Sequence, residues 1–282
     1  MSKVAVVGAG TMGNGIAHVF AGAGWDVVLV DVSEDAVKKG LAVIEKNTER
    51  QASKGVITAS ERRELLARIT TSTSLEAAKD SEIIVEAAIE KPDIKFKIFG
   101  DLGRLTAPSA ILASNTSSIS ITELAKHTNN PGRVIGMHFM NPVPLMKLVE
   151  VIRGLETSND TVARIEEIVR ELEKTPVVVN DAPGFVSNRV LMPMINEAIL
   201  CVQEGIATAE AVDQVMTLGM KHPLGPLAVA DLIGLDVCLA ILEVLQDGFG
   251  DVKYRPARLL RDMVASGRLG RKSGVGFYVY RD

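Results

Sequence analysis

Residues 3–31 read KVAVVGAGTMGNGIAHVFAGAGWDVVLVD, and this stretch decides the fold. It opens with a short, continuous β-branched run at residues 3–7, the pattern of a strand buried on both faces. Ile16, Ala17, Val19 and Phe20 follow at helical spacing, and Gly22 and Gly24 stop that helix. Residues 25–31 read as a second strand, so the whole is one βαβ unit. Between strand and helix lies Gly8-Ala9-Gly10-Thr11-Met12-Gly13, a G-x-G-x-x-G pattern. Alone the pattern is weak. Here it follows a strand, opens a helix and has an acid, Asp31, closing the next strand, which is the context of a dinucleotide site. Gly8 permits the tight turn, Gly10 lets the backbone approach a pyrophosphate, and Gly13 allows close helix packing. The helix N-terminus supplies unpaired N–H groups and the positive end of its dipole. Asp31 is placed to accept from a ribose 2′-hydroxyl and to repel a 2′-phosphate. Val32 and Ser33 offer no arginine to reverse that, so NAD is favoured over NADP. A flavin would fit the same loop but usually needs more chain.

Working outward, residues 34–69 are charged and helical, in two pieces broken near Gly55-Val56-Ile57-Thr58. Thr58 with Glu61 three residues on is a capping-box pattern for the second piece. This is long for a crossover and predicts a protruding helical pair. Short apolar runs follow at 83–88, 110–114, 134–139, 147–152 and 176–179. Val162, Ile165, Ile168, Val169 and Leu172 mark one amphipathic helix. Strands alternating with helices predict an α/β fold, a Rossmann-type doubly wound, mostly parallel sheet. The texture changes near Asp181-Ala182-Pro183-Gly184. Beyond it only helical patterns and turns appear until the last few residues. The expected domains are therefore 1–182, binding NAD, and an all-helical 183–282. No internal repeat or low-complexity segment is seen.

The balance of 47% apolar and 23% charged residues in 282 excludes a disordered or collagen-like chain. A net charge of -4 gives no global attraction to nucleic acid or anionic membrane, so a polyanionic ligand needs a local basic patch. Cys201 and Cys238 form no metal-like spacing, no metal is expected, and a reducing compartment is the simpler reading. The apolar runs are too short to cross a bilayer. Lys3 leads directly into the first strand with no room for a targeting segment, so a cytoplasmic protein is expected.

His138 closes a short apolar run, and ligands of open α/β sheets gather at the carboxyl ends of strands. A histidine there can act as a general base near neutral pH. Glu150 lies inside Leu148-Val149-Glu150-Val151-Ile152, where a carboxylate is costly unless paired, and His138 is the economical partner. Catalysis and an ordinary buried acid–histidine pair both stay open on these residues. Ser114-Asn115-Thr116-Ser117-Ser118 follows another expected strand, and Asn188 follows Pro183-Gly184-Phe185. On their own these read equally as caps or interface residues. Lys46, Arg50 and Lys54 share one helix face, a basic stripe suited to phosphates, although Glu45 and Glu49 dilute it.

Five stretches together resemble one family. They are GAGTMGNGIA at 8–17, SNTSSI at 114–119, HFMNPVPLMKLVEVI at 138–152, DAPGFVSNRVLMPMINEA at 181–198 and GRKSGVGFY at 270–278. The chain is similar to the 3-hydroxyacyl-CoA dehydrogenases over essentially its full length, most of all to the short bacterial 3-hydroxybutyryl-CoA members. The resemblance implies an NAD-binding domain followed by a helical domain that dimerises. It implies NAD-dependent, reversible oxidation of a (3S)-3-hydroxyacyl-CoA to the 3-ketoacyl-CoA. It assigns His138 as base, Glu150 as its partner, and Ser117 and Asn188 to the substrate oxygen and thioester end. It assigns dinucleotide contacts to Gly8, Gly10, Thr11, Met12, Gly13, Asp31, Glu90, Lys95, Asn115, Ser117, His138, Asn141 and Lys272. CoA contacts fall at Asn47 and Lys54; the family often has serine where Asn47 aligns. Asn188 then comes from the second domain and the other catalytic residues from the first, with Asp181–Gly184 as a candidate hinge. The other readings are a related sugar-acid dehydrogenase on the same fold and a non-catalytic NAD-binding protein. The catalytic-lysine β-hydroxyacid dehydrogenases are disfavoured, since no glycine-rich segment precedes a lysine in 165–200.

Overall fold

The computed structural model describes residues 2–280; Met1, Arg281 and Asp282, at the outer ends of the expected domains, lie outside the described residues. The chain divides into two compact units between Asp181 and Ala182. The first carries β1 (Lys3–Val7), α1 (Thr11–Gly22), β2 (Asp26–Val30), α2 (Glu34–Ser53), α3 (Ala59–Ala67), β3 (Ile69–Ser72) and β4 (Ile83–Glu86). Then come α4 (Pro92–Leu105), β5 (Ile111–Ser114), α5 (Ile121–Lys126), β6 (Val134–Phe139), β7 (Leu148–Arg153), α6 (Asn159–Glu171) and β8 (Thr175–Asn180).

The eight strands form one sheet in the order β3-β2-β1-β4-β5-β6-β7-β8. Every neighbouring pair is parallel except β6 and β7. The order reverses between β1 and β4, and there the carboxyl ends of the inner strands open a crevice for a ligand. Strands β4, β5 and β6 are buried throughout, which explains their continuous apolar runs. One strand, β3, was not expected from the sequence. Its residues, Ile-Thr-Thr-Ser, sit at the sheet edge and none of them is buried, so no apolar run marks it.

The helical pair after β2 breaks where the turn residues predict. Thr58 accepts from Glu61 N–H while the Glu61 carboxylate accepts from Thr58 N–H at 2.6 Å, a complete capping box. In α6, Ser158 caps the first turn and Val162, Ile165, Ile168 and Val169 are buried, as their 3.6-residue spacing requires.

The second unit is helical: α7 (Ser187–Gln203), α8 (Ala209–Gln214), α9 (Pro226–Ile233), α10 (Leu235–Phe249) and α11 (Arg258–Ala265). Its core is built from Met192, Ile195, Ile199, Leu227, Leu242 and Leu260. The closing residues form two isolated antiparallel bridges rather than a strand. They are stitched to α9 by Asp231, which is 1% exposed. Its carboxylate accepts from Phe277 N–H, Tyr278 N–H and the Tyr280 hydroxyl, each at 3.0 Å. Asp231→Ala removes one acceptor from three donors. At about 1–3 kcal/mol per buried donor left unmet, a loss of about 3 kcal/mol is expected. A urea midpoint unchanged from the wild type would show that the closing segment is held by its apolar contacts instead.

Candidate active site

At the carboxyl end of β1, Gly8 adopts φ +106°, a conformation open to glycine, and a Cβ there would lie 2.5 Å from the Ala87 carbonyl oxygen. A Cβ on Gly13 would lie 1.7 Å from the Gly8 carbonyl oxygen, so the first turn of α1 rests directly on the loop. Gly10, by contrast, has nothing within 4 Å of its Cβ position. That is a cradle open to a ligand. No side chain caps the N-terminus of α1, which leaves its backbone donors, around Thr11 and Met12, facing the cradle. Asp31 stands just beyond β2 and its Oδ2 accepts from Ala9 N–H at 2.8 Å. One oxygen of the acid therefore fixes the loop. This donor set and opening fit a dinucleotide diphosphate with a free ribose 2′-hydroxyl.

Four and five strands along the sheet order from β2, His138 and Glu150 are directly opposed across the antiparallel β6–β7 pair. His138 Nδ1 lies 2.8 Å from Glu150 Oε2, and both side chains are buried. The antiparallel register supplies this contact, since opposed side chains project to the same face about 5 Å apart. Glu150 as acceptor fixes Nδ1 as the protonated nitrogen of the neutral ring, leaving Nε2 as the basic one. Beside it, Asn115 Oδ1 accepts from Phe139 N–H at 2.9 Å and ties the end of β5 to the end of β6. Asn141 is exposed in the loop that follows. That loop is pinned from behind by Lys174, a residue sequence reasoning passed over. Its buried ammonium donates to the carbonyls of Val143 at 2.6 Å and Met146 at 2.7 Å. Burial first, and Lys147 second, pull Lys174 below the usual lysine range.

Glu90 holds the serine loop. Its Oε1 accepts from the Thr116 hydroxyl, from Ser117 N–H at 2.9 Å and from Ser118 N–H at 3.2 Å. Burial pushes the Glu90 carboxyl up, but the nearby Lys95 charge and these donors outweigh it and hold the group below its ordinary value. Lys95 itself, which the resemblance assigns to the dinucleotide, is packed between Glu86 and Glu90. It is 1% exposed and paired with Glu86 at 2.6 Å and Glu90 at 3.3 Å.

Asn47 is half-buried on α2 and accepts from Arg50 at 3.2 Å, while Lys46, Arg50 and Lys54 are all exposed. In the second unit, Asn188 is buried in the first turn of α7, and Lys272 Nζ lies 2.6 Å from Asp236 Oδ2. The other groups compete poorly for chemistry. His18 is buried within α1, and burial, only partly opposed by Gln51, lowers its affinity for a proton. His127 stacks on Phe96. Cys201 and Cys238 are free thiols, and burial, then Asp236 and Asp231, push Cys238 up to about 12. Among the described residues no three His, Cys, Asp or Glu converge on a metal site. No helix among them is long and apolar enough to cross a membrane.

The chain is similar to known proteins over its whole length. Residues 3–182 match the family model described as 3-hydroxyacyl-CoA dehydrogenase, NAD binding domain, and residues 184–280 match the corresponding C-terminal domain. A probable 3-hydroxybutyryl-CoA dehydrogenase of Bacillus subtilis is 55% identical over 282 residues, covering 100% of this chain and 98% of the relative. A 3-hydroxybutyryl-CoA dehydrogenase of Bradyrhizobium diazoefficiens is 52% identical, covering 100% and 96%. The crystal structure of (S)-3-hydroxybutyryl-CoA dehydrogenase PaaH1 from Ralstonia eutropha superposes with a TM-score of 0.97 at 51% identity, covering 100% of both chains.

Proposed function

The chain belongs to the 3-hydroxyacyl-CoA dehydrogenase family, and on that premise we propose that its substrate is the short-chain (3S)-3-hydroxybutyryl-CoA, interconverted with acetoacetyl-CoA. It is an NAD-dependent oxidoreductase acting on 3-hydroxyacyl-CoA thioesters. The observation that carries the reading is the His138–Glu150 pair, 2.8 Å apart, at the carboxyl end of β6 in the sheet that bears the glycine loop.

NAD, when bound, supplies the hydride acceptor. Gly10, the N–H groups at the start of α1 and Asp31 are the groups suited to hold it. His138 Nε2 takes the proton of the C3 hydroxyl as the C3–H bond breaks, and returns it in the reverse direction. Glu150, already bonded to Nδ1, stabilises the imidazolium that results and keeps the ring oriented. Ser117 holds the reacting oxygen, and Asn188 is assigned the thioester end. Asn115 and Asn141 are likewise assigned to the dinucleotide. Glu90, Met12, Thr11 and Lys272 remain assigned to the dinucleotide. The basic face of α2, with Asn47 and Lys54, suits the phosphates of CoA. The two free thiols support a reducing compartment and, with it, a cytoplasmic location.

The second unit is proposed as the surface of a homodimer. It carries an apolar groove of about 470 Å³ lined by Met194, Ala198, Cys201, Ile206, Val212 and Met216, and Leu218 and Met220 stand exposed beyond it. Exposed apolar surface of this kind marks association.

The direct test is the initial rate of NADH oxidation with acetoacetyl-CoA, with NADPH run in parallel. Turnover with NADH and at least about tenfold less with NADPH is expected, since Asp31 repels a 2′-phosphate. Equal rates would refute the role of Asp31. NADH binding without turnover of any acyl-CoA would favour the sugar-acid or non-catalytic readings.

A further inference from the structure

Glu86 closes β4 and is 0% exposed, at the end of a strand whose other residues are Ile83, Ile84 and Val85. A carboxylate in such a place is costly unless donors meet it, and here they meet both oxygens. Oε1 accepts from Lys95 Nζ at 2.6 Å and from Ala88 N–H at 2.7 Å, and Oε2 accepts from the Ser114 hydroxyl at 2.7 Å. An ammonium carries three protons. Those of Lys95 have three protein acceptors: Glu86, the Ala88 carbonyl at 3.3 Å and Glu90 Oε2 at 3.3 Å. Two contact paths then lead from Glu86 to the serine loop. One runs through Lys95 and Glu90 to Ser117 N–H. The other runs through Ser114 Oγ to Thr116 N–H at 3.2 Å.

We infer that Glu86 is a positioning residue, the buried counter-charge that sets Lys95 and, through it, holds Glu90 and the 114–118 loop so that Ser117 meets substrate in one geometry. Lys95 belongs to the same device and acts on the site through Glu90. The inference rests on the reading that Ser117 holds the substrate oxygen. Stability alone does not account for the arrangement. Neutralising Lys95 needs one carboxylate, Glu90 already supplies it, and a buried ion pair is often no more stable than apolar residues of similar volume.

The test uses Glu86→Gln and Ser117→Ala singly and together, with the double variant Glu86→Gln/Lys95→Met beside them. Glu86→Gln is expected to lower kcat/KM for acetoacetyl-CoA by about 10–100-fold, the scale typical of groups that orient those touching the substrate. In the Ser117→Ala background it should cost less than about threefold more, because both act through one contact. Glu86→Gln/Lys95→Met should recover most of the wild-type melting temperature but not the rate, since Glu90 has lost its ammonium. Multiplying effects of Glu86→Gln and Ser117→Ala would overturn the inference. So would a charge-free double variant as active as the wild type, and this holds even if Glu86→Gln alone does not fold. Failure of the wild type to reduce acetoacetyl-CoA would instead strike the assigned substrate, and it is read before any variant is made.

Discussion

His138→Ala is expected to reduce acetoacetyl-CoA about 10²–10⁴-fold more slowly than the wild type, the usual range for a general acid–base. The size follows from the site. His138 is the histidine at a strand's carboxyl end facing a buried acid, whereas His18 is buried in α1, where burial lowers its affinity for a proton. The glycine loop is built on β1 and does not depend on β6, so NADH affinity should stay within about threefold of the wild type. A fall in kcat and kcat/KM together, at constant NADH affinity, marks an interaction made in the transition state. Single-turnover rates with pre-bound NADH read this directly. A variant that keeps more than about a tenth of the wild-type rate would remove His138 from the chemistry.

Gly13→Ala is expected to weaken NADH binding by about 100-fold. The added methyl would sit 1.7 Å from the Gly8 carbonyl oxygen, a backbone atom at the base of the loop. It has no flexible neighbour to displace, so the loop or α1 must move. Overpacking of this kind costs about 1–3 kcal/mol, and about 2.7 kcal/mol corresponds to a hundredfold in affinity. Because the clash is internal to the protein, the melting temperature should fall as well. Gly10→Ala separates the two causes. Its Cβ meets nothing within 4 Å, so it should leave the melting temperature unchanged and hinder only the approach of the pyrophosphate. Fluorescence titration with NADH and a thermal melt on both variants decide the matter. NADH bound normally by Gly13→Ala would mean that the cofactor is not held by this loop.

Much of this was legible along the chain because the signals are local. The glycine loop, its strand and Asp31 span residues 3–31, and each step from β-branched run to turn to helix is written in neighbouring residues. The capping box of α3 and the buried stripe of α6 are equally local. Glu150 announced itself as a carboxylate among aliphatic residues. Glu86 carries the same signal at the end of Ile-Ile-Val-Glu, and the same cost argument would have found it. The edge strand β3 gave no such signal, because an edge asks for fewer apolar residues than a buried strand.

Partnership between distant residues was another matter. The order of residues brings β6 and β7 near each other, but only their antiparallel register sets His138 opposite Glu150 rather than one residue away, on the other face. Resemblance alone assigns Lys95 to the dinucleotide, and only packing shows Glu86 and Glu90 closed around it. The division has a physical cause. Backbone conformation and apolar periodicity are set by side chains within a few positions, so composition and spacing carry them. A buried charge is governed by whichever donors lie within about 3 Å, and here those donors come from residues 88, 95 and 114. Folding alone brings them together.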